Sequence, residues 1–353
     1  MSANSITLYS KTQINRAGET IAHSSPHTSE YKKALSIVND WRTCHAYPMN
    51  TFQATLRRKV GKYKSPIVAQ RLKRLPTIID KLSRYPDMSL ARMQDVGGVR
   101  AVVNSIDEVR AIQAEYEEAS RFTHELYKKN DYISMPKPDG YRGVHLVFKY
   151  DNTLARNGIA KQYKGFAVEV QIRTKLQHTW ATAVETMGTF RNESFKTDQG
   201  NKDWLEFFAL VSSAFAHVEG SAPAPQHANM SALEVYKALS RLESKLDVLD
   251  QISGLSVAAD AIHAGRLGGY YNIIVLDKIE KSVRIGSFTK DELSKATERY
   301  AELESEPDST KDLVLVSAGK LKSLKLAYPN YFLDVRDFIE KVKILIEEAG
   351  RVV

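Results

Sequence analysis

The sequence predicts an α/β (α+β) protein, with one domain of strands alternating with helices and a smaller C-terminal α/β domain. Three observations predict it. The chain has 353 residues, 43% hydrophobic and 26% charged, enough to bury two cores. From Val99 the hydrophobic period shifts from helical to strand-like, and strands then alternate with helices over ~100 residues. After the Pro-, Ala- and Ser-rich "EGSAPAPQHANMS" (Glu219 to Ser231), a second α/β pattern begins.

The elements follow in order. Up to about Arg58 the pattern is helical, with "SEYKKALSIVNDWRTCHAYP" an amphipathic segment that stops near Pro48. A second helix is expected from roughly Ser65 to Tyr85, with Leu72, Leu75, Ile79 and Leu82 at helical spacing. Its opposite side carries Arg71, Lys73, Arg74 and Lys81, and Pro76 breaks or kinks it. "VRAVVN" reads as a buried strand, "SIDEVRAIQAEYEEASRF" as a helix, and "VHLVFKY" and "FAVEVQIRT" as strands. Helices resume at "KLQHTWATAVETMG". A long helix is expected near Ala232 to Ile252, followed by strands "YYNIIVLD", "SVRIGSF" and "DLVLVS". Helices start at Lys290 and near Leu321 and close the chain at "VRDFIEKVKILIEEAG". The expected domains are therefore 1–228, a connecting helix 229–255, and 256–353.

Composition excludes several classes. No apolar run approaches the ~20 residues that span a bilayer. The N-terminus lacks a basic-then-apolar secretory pattern, so no membrane partner is expected and the expected location is cytoplasmic. One cysteine, Cys44, and nine scattered histidines leave no Cys-rich zinc site. There is no GxxxxGK[ST] phosphate loop and no His-Asp dipeptide. The net charge of +8 favours a phosphate-bearing partner, and the basic residues crowd between Arg57 and Arg84.

Three constellations fall at predicted strand ends. In "QDVGGVRAVV", Asp95 before the Gly97-Gly98 turn suits a divalent cation, and Arg100 suits a phosphate; a capped turn with a surface Arg fits the same residues. In "KPDGYRGVHLVFKY", Gly140 permits a bend. Tyr141 offers a flat face for a base, and Arg142 and His145 add donors; a turn whose Tyr covers the sheet end fits as well. In "VEVQIRT", alternation puts Glu169, Gln171 and Arg173 on one face, away from the Val/Ile core. Such a row suits a cleft or, alternatively, the solvated face of an edge strand. A nucleotide polyphosphate site needs these parts: carboxylates for Mg²⁺ (Asp95, Glu169), a cationic cradle (Arg71, Lys73, Lys81, Arg100) and a base platform (Tyr141).

"RLKRLPTIIDKL", "DVGGVR", "KPDGYRGVH" and "VEVQIRTKLQHTWATAVE", in this order over about Lys59 to Glu185, resemble the RelA/SpoT synthetase domain. The resemblance implies a nucleotidyltransferase-like mixed sheet flanked by helices. It also implies transfer of the β,γ-pyrophosphate of ATP to a ribose 3′-hydroxyl with Mg²⁺. It places Arg71, Lys73, Lys81 and Arg100 on ATP, and Asp95 and Glu169 as metal carboxylates, Glu169 also activating the acceptor hydroxyl. It also implies that Tyr141 stacks on the acceptor base beside Arg142, His145, Gln171 and Arg173. Gly143 and Val144 depart from the Ser-Leu of "GYRSLH", which loosens the acceptor loop and turns the expectation away from a free GDP or GTP. The His-Asp hydrolase domain of large members is missing.

"LAYPNYFLD", with Tyr328 and Tyr331, and the single-chain layout look like the CapRel type of fused toxin–antitoxin synthetase. This implies a metal-free, pseudo-zinc-finger-like regulatory domain whose tyrosines block the ATP site. It also implies a phage major capsid protein as activator, and pyrophosphorylation of the 3′ CCA end of tRNA as the toxic act. At i, i+3 on a helix the two tyrosines also fit as packed core aromatics, which such pairs usually are. Lys32, Lys33, Arg57 and Arg58, with Lys62 and Lys64, are the candidate tRNA contacts; a solvated basic face accounts for them too.

Overall fold

The computed structural model describes residues 9–118, 122–151, 158–191, 201–254, 269–277, 282–305, 311–317 and 331–351. The chain packs as two compact units, Met1–Tyr132 with Gly143–Lys175, and Ile133–Arg142 with Leu176–Val353.

The first unit opens with helices α1 (Lys11–His23), α2 (Ser29–Cys44) and α3 (Ala46–Val60). Then come β1 (Ile67–Leu72), α4 (Leu75–Arg84), β2 (Gly97–Val103), α5 (Ile106–Glu117), β3 (Glu125–Asp131), β4 (Val144–Lys149), α6 (Gly158–Lys161) and β5 (Ala167–Thr174). The strands form a five-stranded mixed sheet ordered β1-β2-β5-β4-β3, in which only β2 and β5 run parallel. Helices flank it. Interior strand β2 is largely buried, with Val99, Ala101, Val102 and Val103 at most 1% exposed. Ile14, Ile21, Val38, Ile78, Leu82 and Leu90 form a helical core beside it.

The helix expected from Ser65 to Tyr85 is corrected to a strand, a turn and a shorter helix. Ile67–Leu72 pairs antiparallel with β2, and that ladder outweighs the helical spacing of the leucines. Pro76 lies in the first turn of α4, where its missing N–H costs nothing. Strand β3 had no strand reading in the sequence, because five of its seven residues are exposed and the alternation is lost.

His45 joins α2 to α3 and is 1% exposed. Gly97 makes this possible, since a Cβ there would sit 2.9 Å from the His45 Cβ. The ring Nδ1–H donates to the Trp41 carbonyl at 3.0 Å. Burial pushes the His45 pKa from 6.5 to about 4, against the backbone bonds that favour the charged ring. A depressed folded pKa stabilises fully above the unfolded value and fades as pH falls toward about 4, a loss of up to about 3 kcal/mol. Urea titrations between neutral pH and about pH 4 should show this loss, and His45→Gln should flatten that part of the slope.

The second unit holds α7 (Lys175–Arg191) from Leu176 onward, α8 (Lys202–Val218), α9 (Ala232–Leu246), β6 (Tyr271–Asp277), β7 (Ser282–Phe288), α10 (Leu293–Ser305), β8 (Lys311–Ser317) and α11 (Tyr331–Arg351). The strands form an antiparallel sheet ordered β7-β6-β8. Helix α8 is buried on nearly every side, from Phe207 through Ala216. Its core includes Val235 and Leu239 of α9 and Val335, Phe338 and Val342 of α11. One core thus runs across residues 255/256, where the sequence suggested a boundary.

The expected linker Glu219 to Ser231 is fixed in place. His227 is 2% exposed, its ring bonded to Ser213 Oγ at 2.8 Å and Glu206 Oε1 at 2.9 Å. The helix near Leu321 and Tyr328 lie outside the described residues, as does the side chain of Tyr331, the first residue of α11.

Candidate active site

Strand register gathers five of the expected residues on one face of the first unit's sheet. Arg71 on β1 is opposite Gly98 on β2, which is opposite Glu169 on β5. In the next row Arg100 faces Gln171, and Gln171 faces His145 on β4. Directly paired residues project to the same side, so Arg71, Arg100, Glu169, Gln171 and His145 share a face. The opposite face carries Val168, Val170 and Ile172 at 0% exposure. Gly98 sits between Arg71 and Glu169 with no side chain, which leaves the carboxylate open on that side; an added Cβ would lie 3.2 Å from the Glu169 carbonyl.

Asp95 precedes β2 and is gripped by two lysines. Lys73 Nζ lies 2.8 Å from Oδ2, and Lys81 Nζ lies 3.1 Å from Oδ1. Lys73 is itself held, because its N–H donates to the Val96 carbonyl and its own carbonyl accepts from Arg42 Nε. Burial works against the Asp95 charge, but the two ammonium groups outweigh it and hold its pKa below the usual carboxylate value.

Glu169 is bound by His145 Nδ1 at 2.8 Å on Oε1 and by the Gln171 amide, which donates to Oε2 at 2.8 Å. Its side chain is 13% exposed. Burial raises its pKa and the Asp95 charge adds to that, yet His145 and Gln171 bring the net value below the ordinary one. Both carboxylates are therefore anionic at neutral pH. Tyr132 packs edge-on against the His145 ring, with centroids 5.3 Å apart. Arg173 is 4% exposed, and its Nε has no hydrogen-bond partner in the described structure. Such an unmet buried donor suits an anionic ligand.

Two carboxylates fit Mg²⁺, which keeps several waters and takes one or two carboxylates together with substrate phosphates. Among the described residues no group of three or more His, Cys, Asp or Glu could hold a metal. Asp95 and Glu169 would hold the ion only with the nucleotide contributing the remaining oxygens.

Tyr141 and Arg142 pack in the second unit. Tyr141 is half-buried, its N–H donating to Asp139 Oδ1 at 2.8 Å and Lys137 Nζ 5.4 Å from its ring centroid. Arg142 was expected to face the acceptor, but its side chain is 1% exposed and bound to Ser212, Glu219 and Ser221. Lys32, Lys33, Arg57 and Arg58 are exposed on α2 and α3. Sequence reasoning missed Arg42 and Tyr132. Arg42 sits in an ordinary amphipathic helix and left no signal, whereas Tyr132 ends a "KKNDY" segment that could have been read with the strand after it.

Residues 70–194 match the model of the region found in RelA/SpoT proteins. This RelA/SpoT region is about a third of the chain and includes Arg71, Lys73, Lys81, Asp95, Arg100, Tyr141, His145 and Glu169. Over 122 residues the chain is 32% identical to GTP pyrophosphokinase YjbM of Bacillus subtilis, covering 33% of this chain and 54% of that protein. GTP pyrophosphokinase YwaC of the same organism is 28% identical over 117 residues, 32% of this chain and 52% of its own. The chain thus spans about half the length of these two relatives. The crystal structure of small alarmone synthetase 1 from Bacillus subtilis overlays 52% of this chain and 93% of its own, with TM-score 0.40 and 20% identity. Among the described residues no helix is long and apolar enough to cross a membrane.

Proposed function

We propose that the chain is a pyrophosphokinase that transfers the β,γ-pyrophosphate of ATP to a ribose 3′-hydroxyl. The observation that carries this is the joint placement of Asp95, with its two lysines, and Glu169, with His145, in the RelA/SpoT region. The acceptor oxygen attacks the β-phosphorus, the bond from that phosphorus to the α–β bridging oxygen breaks, and AMP leaves. The hydroxyl proton passes to Glu169, whose orientation His145 and Gln171 maintain. Lys73, Lys81, Arg71 and Arg100 hold the phosphates, with the lysines turning from Asp95 toward the nucleotide. Asp95 and Glu169 would hold Mg²⁺, which would supply charge neutralisation at the phosphate oxygens.

Two acceptors have support. The names of YjbM and YwaC favour a guanosine nucleotide, which would make the product an alarmone. The exposed Lys32, Lys33, Arg57 and Arg58, together with Gly143, favour the 3′ CCA end of tRNA and a toxin that arrests translation. Under the second reading the C-terminal residues hold the enzyme off until a partner, a phage major capsid protein, binds the open state better than the closed one. Full-length protein with labelled ATP, offered GTP, GDP, ATP and deacylated tRNA with and without capsid protein, tests both. Label on tRNA alone supports the toxin, label on a free nucleotide supports the alarmone synthetase, and no transfer to any acceptor rejects the proposal.

A further inference from the structure

The turn that carries Tyr141 is built by residues far away in sequence. Gly140 has φ +89, and a Cβ on it would lie 2.9 Å from Ser212 Cβ and 3.0 Å from the Trp180 ring. The turn therefore sits directly on α7 and α8, where only glycine fits. Ser212 of α8 serves it twice. Its hydroxyl donates to the Gly140 carbonyl and accepts from Arg142 Nε at 3.2 Å.

Arg142 then reaches the far end of α8. Its Nη1 donates to Glu219 Oε2 at 2.8 Å and to Ser221 Oγ at 2.9 Å. Glu219 is the C-cap of α8, and its side chain is 7% exposed. The amide of Gln177 on α7 donates to the same carboxylate oxygen at 3.1 Å. These additional donors satisfy the buried charge pair in this one arrangement, and breaking it would leave a buried charge unpaired. Tyr141, between Gly140 and Arg142, takes its position from that arrangement, with the Trp180 ring 6.4 Å away at 64°.

We propose that Glu219, acting through Arg142 and Ser212, is a positioning residue for the acceptor: it fixes the Gly140–Arg142 turn so that the Tyr141 ring is preset to stack on the acceptor base. This rests on the reading of Tyr141 as the acceptor platform. Arg142 itself touches no acceptor and works as the tie between the turn and α8. Donor binding depends on Lys73, Lys81, Arg71 and Arg100, none of which belongs to this network, so acceptor and donor affinities separate.

The test is steady-state kinetics of the full chain with its activating partner where one is needed, varying ATP and acceptor independently. Ser212→Ala deletes both turn contacts without leaving a buried charge. It should raise the acceptor KM about tenfold, since loss of a preset geometry costs ~10–100-fold, with the ATP KM and thermal midpoint little changed. Glu219→Gln should do the same more strongly, and Glu219→Asp should recover part of the loss. If Glu219→Gln fails to fold, Ser212→Ala decides. Unchanged acceptor KM in folded Ser212→Ala, or equal rises in both KM values, overturns the proposal. Wild-type protein that transfers to no acceptor overturns the functional reading instead.

Discussion

Asp95→Asn is expected to lower kcat/KM for pyrophosphate transfer by roughly a thousandfold, at the upper end of losing one electrostatic group in an active site. The change is nearly isosteric, so what is lost is the charge. Asp95 aligns Lys73 and Lys81 in the absence of substrate, at 2.8 and 3.1 Å, and is one of the two carboxylates available to Mg²⁺. The fold should survive. The Asp95 side chain is 28% exposed and Lys81 25%, so water can take over much of the lost pairing. A cost of about 1 kcal/mol follows, a few degrees in Tm. Labelled-ATP kinetics beside a thermal melt check this. Near-normal transfer by a folded Asp95→Asn protein would remove the metal and phosphate role assigned to Asp95.

Deleting everything after Ile252 is expected to collapse the second unit rather than release an active enzyme. The deletion removes α11, and with it Val335, Phe338 and Val342, each 0% exposed in the core shared with α8 and α9. Phe338 also meets Phe208 and Phe215, with ring centroids 6.5 and 6.1 Å apart. Emptying the Phe338 site alone costs about 3–5 kcal/mol, and losing both buried valines with it reaches the scale of a whole domain's stability. Phe338→Ala alone should lower urea stability by about 3–5 kcal/mol. The truncated chain should lose near-ultraviolet ellipticity and resist proteolysis poorly. A truncation that stays folded would show that α11 is dispensable. Autoinhibition is better tested by Tyr331→Ala in the full chain: constitutive toxicity with an unchanged melt supports the block, and unchanged silence counts against it.

The residues of the Glu169 face were legible because their signal is local. Strand period alone placed Glu169, Gln171 and Arg173 together, and the Asp-Gly-Gly-Arg spacing marked the start of β2. The Ser65 to Tyr85 segment misled because apolar residues at helical spacing also fit a strand followed by a helix. Only the ladder of β1 with β2 separates the two. Strand β3 was hidden because an exposed edge strand carries little periodic apolar pattern.

By itself the sequence determined the residue types of the candidate site, their order, and which strand face holds the carboxylate of Glu169. Tertiary structure alone decided the partners. His145 meets Glu169 because β4 and β5 pair in one register, and a slip of one residue would turn His145 to the opposite face. Arg142, expected beside the acceptor, is buried against Glu219, a partner 77 residues away at the end of α8. Contacts of that span depend on how helices and strands pack. No local pattern encodes them, so Tyr141 could be read as a platform from sequence but its support could not.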